Sequence, residues 1–218
     1  MFKTVCANEE RRIVMKARAA EILTREQAIA LLTKGNVQAF NRRIARARKV
    51  KRGFRLDLFR ADLTGAKLCG VDLRAVDLTH AIFSHADMRK ANLKGATLVS
   101  ARLTGSNLKG ANLTGANLFE ADLCDAQMQG ARLRRSNLFR TAMVGANLEC
   151  ADLQNVGLSE ARLWDVSLSG ANLDGASLGG VRLVDSSLLS WVGPIWMEGM
   201  VLPAGFKIPK GSQRPPAP

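Results

Sequence analysis

A leucine or a close substitute stands at every fifth position from Leu58 to Leu188 without insertion or deletion, and a small residue precedes almost every one by two positions. In frame the chain reads Ala61-Asp62-Leu63, Ala91-Asn92-Leu93, Ala111-Asn112-Leu113 and Ala171-Asn172-Leu173, each trio followed by two variable residues. This spacing excludes an amphipathic helix, because five residues advance a helix by about 140° and the leucines would spiral around it. In an extended chain alternate side chains share a face, so the Ala and Leu of a trio point one way and its Asp or Asn the other. Five is odd, however, and a straight strand would turn the next alanine to the wrong face. Each pentapeptide must therefore bend at its two variable positions, the second of which is often glycine, as at Gly65, Gly95, Gly115 and Gly145. Strand and corner in alternation make a coil, which buries its leucines only by wrapping them inward and stacking turn on turn.

The unit A-[DN]-L-x-x, running from Leu56 through Ser190 as 27 consecutive pentapeptides, resembles the pentapeptide-repeat family. That resemblance implies an all-β solenoid, a right-handed quadrilateral β-helix with four pentapeptides per turn and about seven coils. At about 4.8 Å between adjacent strands the rod is roughly 30 Å long. The expected organisation is a basic helical leader and N-terminal cap over 1–54, the β-helix over 55–190, an apolar cap or dimer contact over 191–209 and a disordered, proline-rich tail over 210–218.

Net charge divides sharply by region. Residues 1–55 hold 15 Lys or Arg against 4 Glu, whereas residues 56–190 hold 14 of each sign. The family resemblance brings one activity with it, imitation of a DNA duplex to occupy topoisomerases through an acidic surface. A neutral tower lacks that field, so this is the least favoured reading. No apolar run approaches the roughly 20 residues that span a bilayer. The N-terminus has no apolar stretch before a cleavage site, and Glu9, Glu10, Glu21 and Glu26 argue against a transit peptide, so a cytoplasmic location is expected. Cys6, Cys69, Cys124 and Cys150 form no CxxC pair, and Cys69 and Cys150 fall about four turns apart on a four-sided coil, so reduced thiols are expected.

The leader reads as helical. Asn8 can cap a first helix with Ile13, Ala17 and Ile22 on its apolar side, and Thr24 with Gln27 forms a capping box for a second that runs to Gly35. Asn36 can start a third, short helix with Val37, Phe40 and Ile44 on one side. The stretch from Leu31-Leu32 through Phe40-Asn41 also resembles a leader found before the repeats in bacterial family members. One role is to cover the open strand edge of the first turn. The other is contact with nucleic acid, an anionic membrane or another acidic partner through Arg42, Arg43, Arg46, Arg48, Lys49, Lys51 and Arg52.

Taking positions modulo 20 turns the repeat into four sides. Phe119, Phe139, Val144, Trp164 and Val184 then gather at corners of two neighbouring sides, a candidate partner patch. Stacking along a column, or shelter beneath a C-terminal lid, is the structural alternative for these residues. The same two sides carry a surplus of acid and the opposite two a surplus of base. Beyond Leu188 the register stops, and Trp191, Ile195, Trp196 and Met197 are candidates for a lid or, as the resemblance implies, a homodimer contact.

Catalysis finds no support. The outward Asp and Asn residues sit on a convex surface and recur as structural ladder positions, where they read as solvation rather than catalysis. His80 and His85 occupy equivalent corners without a third metal ligand. No cofactor, metal or small-molecule substrate is expected, and the chain reads as a non-enzymatic scaffold or adaptor for a protein partner still to be identified.

Overall fold

The computed structural model describes residues 23–182. Parallel bridges join the central residue of each pentapeptide to the residue 20 positions later, from Asp57 with Asp77 to Arg162 with Arg182, with no break in the series. A constant offset of 20 means four pentapeptides per turn, so the coil is four-sided. The regular extended trios form single bridges rather than long strands, because each side is only one trio wide before the chain turns.

One unit shows why the repeat needs its five residues. Ala111 N–H closes the preceding turn on Leu108 O at 2.9 Å, Asn112 N–H reaches back to Ala91 O at 2.9 Å, and Leu113 N–H reaches forward to Arg132 O at 2.7 Å. Gly115 N–H also reaches forward, to Arg134 O at 2.9 Å. That leaves Thr114 N–H, which donates to the side-chain Oδ1 of Asn112 at 3.1 Å. The same bond recurs from Phe59 to Asp57, Thr79 to Asp77, Phe119 to Asn117 and Phe139 to Asn137. Asp and Asn therefore recur in the trio because they accept the one N–H that the coil leaves over, as in an Asx-turn. This adds a specific backbone-capping role to the solvation and ladder positions expected for them.

The second corner residue has positive φ throughout, from Arg60 at 56° to Gly180 at 67°. With the turn closed from the Ala N–H to the preceding Leu carbonyl, this is the signature of a type II turn, in which glycine relieves the cost of the left-handed conformation. Gly115 (φ +65°) has nothing within 4 Å of an added Cβ, so a substitution there tests the backbone alone. Gly115→Ala is expected to lower stability by about 1–2 kcal/mol in denaturant unfolding. An unchanged midpoint would show that the corner relaxes at no cost.

Inside the coil the alanines and leucines of successive turns form one buried cluster, with Phe83, Met88, Met128 and Met143 standing in for leucine. The second and third of the expected leader helices are present: α1 spans Arg25–Thr33 and α2 spans Val37–Val50. Thr24 and Gln27 make the capping box. Gly35 ends α1 at φ +65°, with its N–H on Leu32 O and that of Asn36 on Leu31 O, the paired bonds of a Schellman turn. Helix α2 begins at its Asn36 cap but runs 14 residues, longer than the short helix expected. Ala47 extends its buried side beyond Phe40 and Ile44, and Arg48 and Lys49 in the last turn suit the helix dipole. The expected helix around Ile13 and Ile22, the apolar segment 191–209 and the tail 210–218 lie outside the described residues.

Candidate functional site

The first coil has no coil beneath it, so its central N–H groups and several carbonyls lack the partners that later coils supply. The leader provides some of them. Asp72 N–H donates to Asn41 Oδ1 at 2.8 Å, and Asn41 Nδ2 donates to Gly70 O at 2.9 Å. Arg48 donates to Arg74 O and Arg25 to Phe59 O, the two carbonyls that in higher coils accept from the turn below. Phe40, Ile44 and Ala47 of α2 and Leu32 of α1 join the tower's core with no exposed surface.

Arg48 also pairs with Asp72 at 2.7 Å, and Arg74 grips the same carboxylate at 2.8 and 2.7 Å. Burial opposes ionisation of Asp72, but the hydrogen bonds from Arg74 and the charge of Arg48 outweigh it and hold the carboxyl below its ordinary value. Arg48 is therefore turned inward, and its place among the outward basic candidates is corrected. Arg43 donates to Gln27 Oε1 on α1. Arg42, Arg46, Lys49, Lys51 and Arg52 are exposed.

The aromatic candidates fall on one edge of the tower. Phe119 and Phe139 stack in successive coils with ring centroids 5.8 Å apart and planes 11° from parallel. Beside them a charge ladder runs through Glu120, Arg140 and Glu160, with Arg140 2.7 Å from Glu160 and 3.9 Å from Glu120. The Arg140 guanidinium also lies 5.1 Å from the Phe139 ring centre. Val144 and Trp164 occupy the next corner, both half-buried, and Arg162 covers the indole at 5.5 Å. The indole N–H is buried without an acceptor among the described residues. The column stacking anticipated for these aromatics is thus present at Phe119 and Phe139, and both residues remain only half-buried. Val184, Trp191, Ile195, Trp196 and Met197 lie outside the described residues.

Alternating signs at 120, 140 and 160 are readable in the sequence once positions are taken modulo 20, although the surplus of acid on these sides draws attention to the two glutamates and away from the arginine between them. The bonds made by Asn41 were not foreseen; its position next to Phe40 in the leader motif is the sole signal. The thiols of Cys69, Cys124 and Cys150 are free. Burial and the neighbouring Asp122 push the Cys124 thiol up to about 11, which leaves it protonated and unreactive near neutrality. The His80 and Phe59 rings meet in a T-shaped arrangement with centroids 5.6 Å apart, and His85 lies over Gly105, so both histidines are engaged with the coil's own corners.

A four-sided coil closed every 20 residues, with leucine inside and Asx-turns at its corners, defines a β-solenoid of the quadrilateral type. The family description "Pentapeptide repeats" matches in 8 copies over residues 57–95, 116–155 and 151–188, just over half the chain, and the chain belongs to the pentapeptide-repeat family, whose fold is the right-handed quadrilateral β-helix. Members are generally structural or interaction proteins rather than enzymes. Among solved structures, the chain is similar to HetL, a pentapeptide repeat protein involved in heterocyst differentiation regulation from the cyanobacterium Nostoc sp. strain PCC 7120. The identity is 31%, over 69% of this chain and 76% of that one, with a TM-score of 0.34. A pentapeptide repeat protein of the Arabidopsis thaliana thylakoid lumen is 30% identical over 56% and 70% of the two chains, with a TM-score of 0.21. QnrB1, a plasmid-mediated fluoroquinolone resistance protein, is 16% identical over 61% and 84%, with a TM-score of 0.42. No curated protein matches the chain.

Proposed function

We propose that the protein is a non-enzymatic scaffold, a β-helix of about seven coils closed at its N-terminal end by α1 and α2, which holds a protein partner along the edge marked by Phe119, Phe139, Val144 and Trp164. The observation that carries this reading is the ordered edge itself. Stacked rings and a three-member ion-pair ladder lie side by side on a backbone fixed by coil-to-coil hydrogen bonds, so the side chains are held in place before a partner arrives. Aromatic and arginine side chains are also the residue types most enriched at binding hot spots. The unpaired thiols on separate coils support a reducing, cytoplasmic setting. The near balance of charge over the coil favours a scaffold over a duplex mimic directed at a topoisomerase.

A photo-crosslinking residue at position 139 tests the reading, with the same group at position 109 on the opposite sides as the control. The expected result is a crosslinked species from position 139 that unmodified protein competes away and that Trp164→Ser removes while the thermal melt is retained. Equal capture from both positions would end the proposal.

A further inference from the structure

We infer that the leader and the adjoining tower corners form a docking surface for the phosphate backbone of double-stranded DNA. Residues 34–55 contain nine Lys or Arg and no Asp or Glu. Helix α2 spends its apolar side inside the tower, where Phe40, Ile44 and Ala47 have no exposed surface, and it turns Arg42 and Lys49 outward. The chain continues as exposed Lys51 and Arg52.

The tower extends this surface. Asn41 and Arg48 fasten α2 to residues 70–74, so the helix ends beneath the corner that carries Arg74. Lys94 stands one coil above Arg74, as the Ala75 N–H bond to Lys94 O fixes. On the side before it, Lys109 stands above Arg89 by the same register, since the N–H of the following residue, Lys90, meets Lys109 O. Lys94 and Lys109 are exposed.

Charge complementarity and the scarcity of exposed apolar groups, Val50 and Phe59 alone among the large hydrophobics of the described residues, decide the occupant. An interfacial membrane helix needs a free apolar face, and that of α2 is consumed by the core at Phe40, Ile44 and Ala47, which leaves Val50 at the helix end as its one exposed large hydrophobic. Single strands are held largely by stacking on aromatic rings, yet Phe40 is buried and Phe54 half-buried. Duplex RNA is recognised through its 2′-hydroxyls as well as its phosphates, and this surface offers cations almost alone. A DNA duplex presents one negative charge per about 1.7 Å of axis, which the acid-free stretch 34–55 matches without reading sequence; on the corners above it Arg74 and Arg89 are paired with Asp72 and Asp87, and Lys94 and Lys109 supply the net positive charge. This inference uses residues separate from the aromatic edge, so either reading can fail without the other.

Fluorescence anisotropy of the full chain with a labelled duplex of about 20 base pairs tests it. With about five phosphates neutralised, log affinity is expected to fall against log salt with a slope near −4 to −5. The combined variant Arg42→Gln, Lys49→Gln and Arg52→Gln is expected to weaken binding at least about tenfold and to make the slope shallower by about 3. Arg132→Gln with Arg135→Gln, exposed cations higher on the tower, is the control and is expected to stay within about twofold. Circular dichroism melts verify that all variants fold. No binding at about 50 mM salt, an equal loss in the control variant, or preferred binding to single strands, duplex RNA or phosphatidylserine vesicles would each overturn the inference.

Discussion

Leu113→Ala is expected to destabilise the protein by about 2–5 kcal/mol, the range for buried leucines whose removal leaves a cavity. Leu113 has no exposed surface, and Leu93 and Leu133 occupy the equivalent inward positions one coil before and after. The surroundings have little room to collapse, because every backbone N–H of this pentapeptide is already bonded to a neighbouring coil, to its own turn or to Asn112. Denaturant unfolding measures the loss. Because repeat units contact only their neighbours, hydrogen exchange should also quicken first at Leu93, Asn112 and Leu113, the amides bonded around the cavity. A loss under about 1 kcal/mol would mean that the coil closes over the missing side chain.

Asn41→Leu is the second large effect. The substitution keeps the approximate size of the side chain but removes both the acceptor for Asp72 N–H and the donor to Gly70 O. Leaving part-buried polar groups unpaired costs about 1–3 kcal/mol apiece, so a total near 2–3 kcal/mol is expected once partial access of water is allowed for. The Asp72 amide should lose protection from exchange while that of Asn112, two coils higher, keeps it. A uniform change along the tower would instead show that Asn41 acts on the whole fold rather than on its edge.

The interior was legible because its periodicity leaves few solutions. A leucine every five residues excludes a helix, demands a bend in each unit and places Ala111 and Leu113 inside, where both are buried. The corners were legible only in part. Glycine signalled the positive φ at position 115, but the same conformation at Arg60, His80 or Lys90 is imposed by the coil against local preference. The recurrence of Asn112 as a ladder position is legible, but the bond it accepts from Thr114 N–H is not, because a backbone N–H left over in each turn becomes visible only when every other donor has been assigned. At the candidate sites, modulo-20 mapping brought Phe119 and Phe139 together. It could not show that Arg48 turns inward to Asp72, since rotamer and helix placement decide that.

The fixed offset of 20 between bridged residues makes the tower an indexing device. Inserting one pentapeptide such as Ala-Asn-Leu-Thr-Gly after Gly115 preserves every inward leucine and every turn. It also advances each later residue by one side of the square. Phe119 and Phe139 would remain stacked on each other yet turn a quarter further around the axis relative to the leader's cations, whereas four inserted units would restore the original heading one coil higher. Angular placement of a surface group and the integrity of the core are thus independent variables in this protein, and length changes in units of five residues set the first without touching the second.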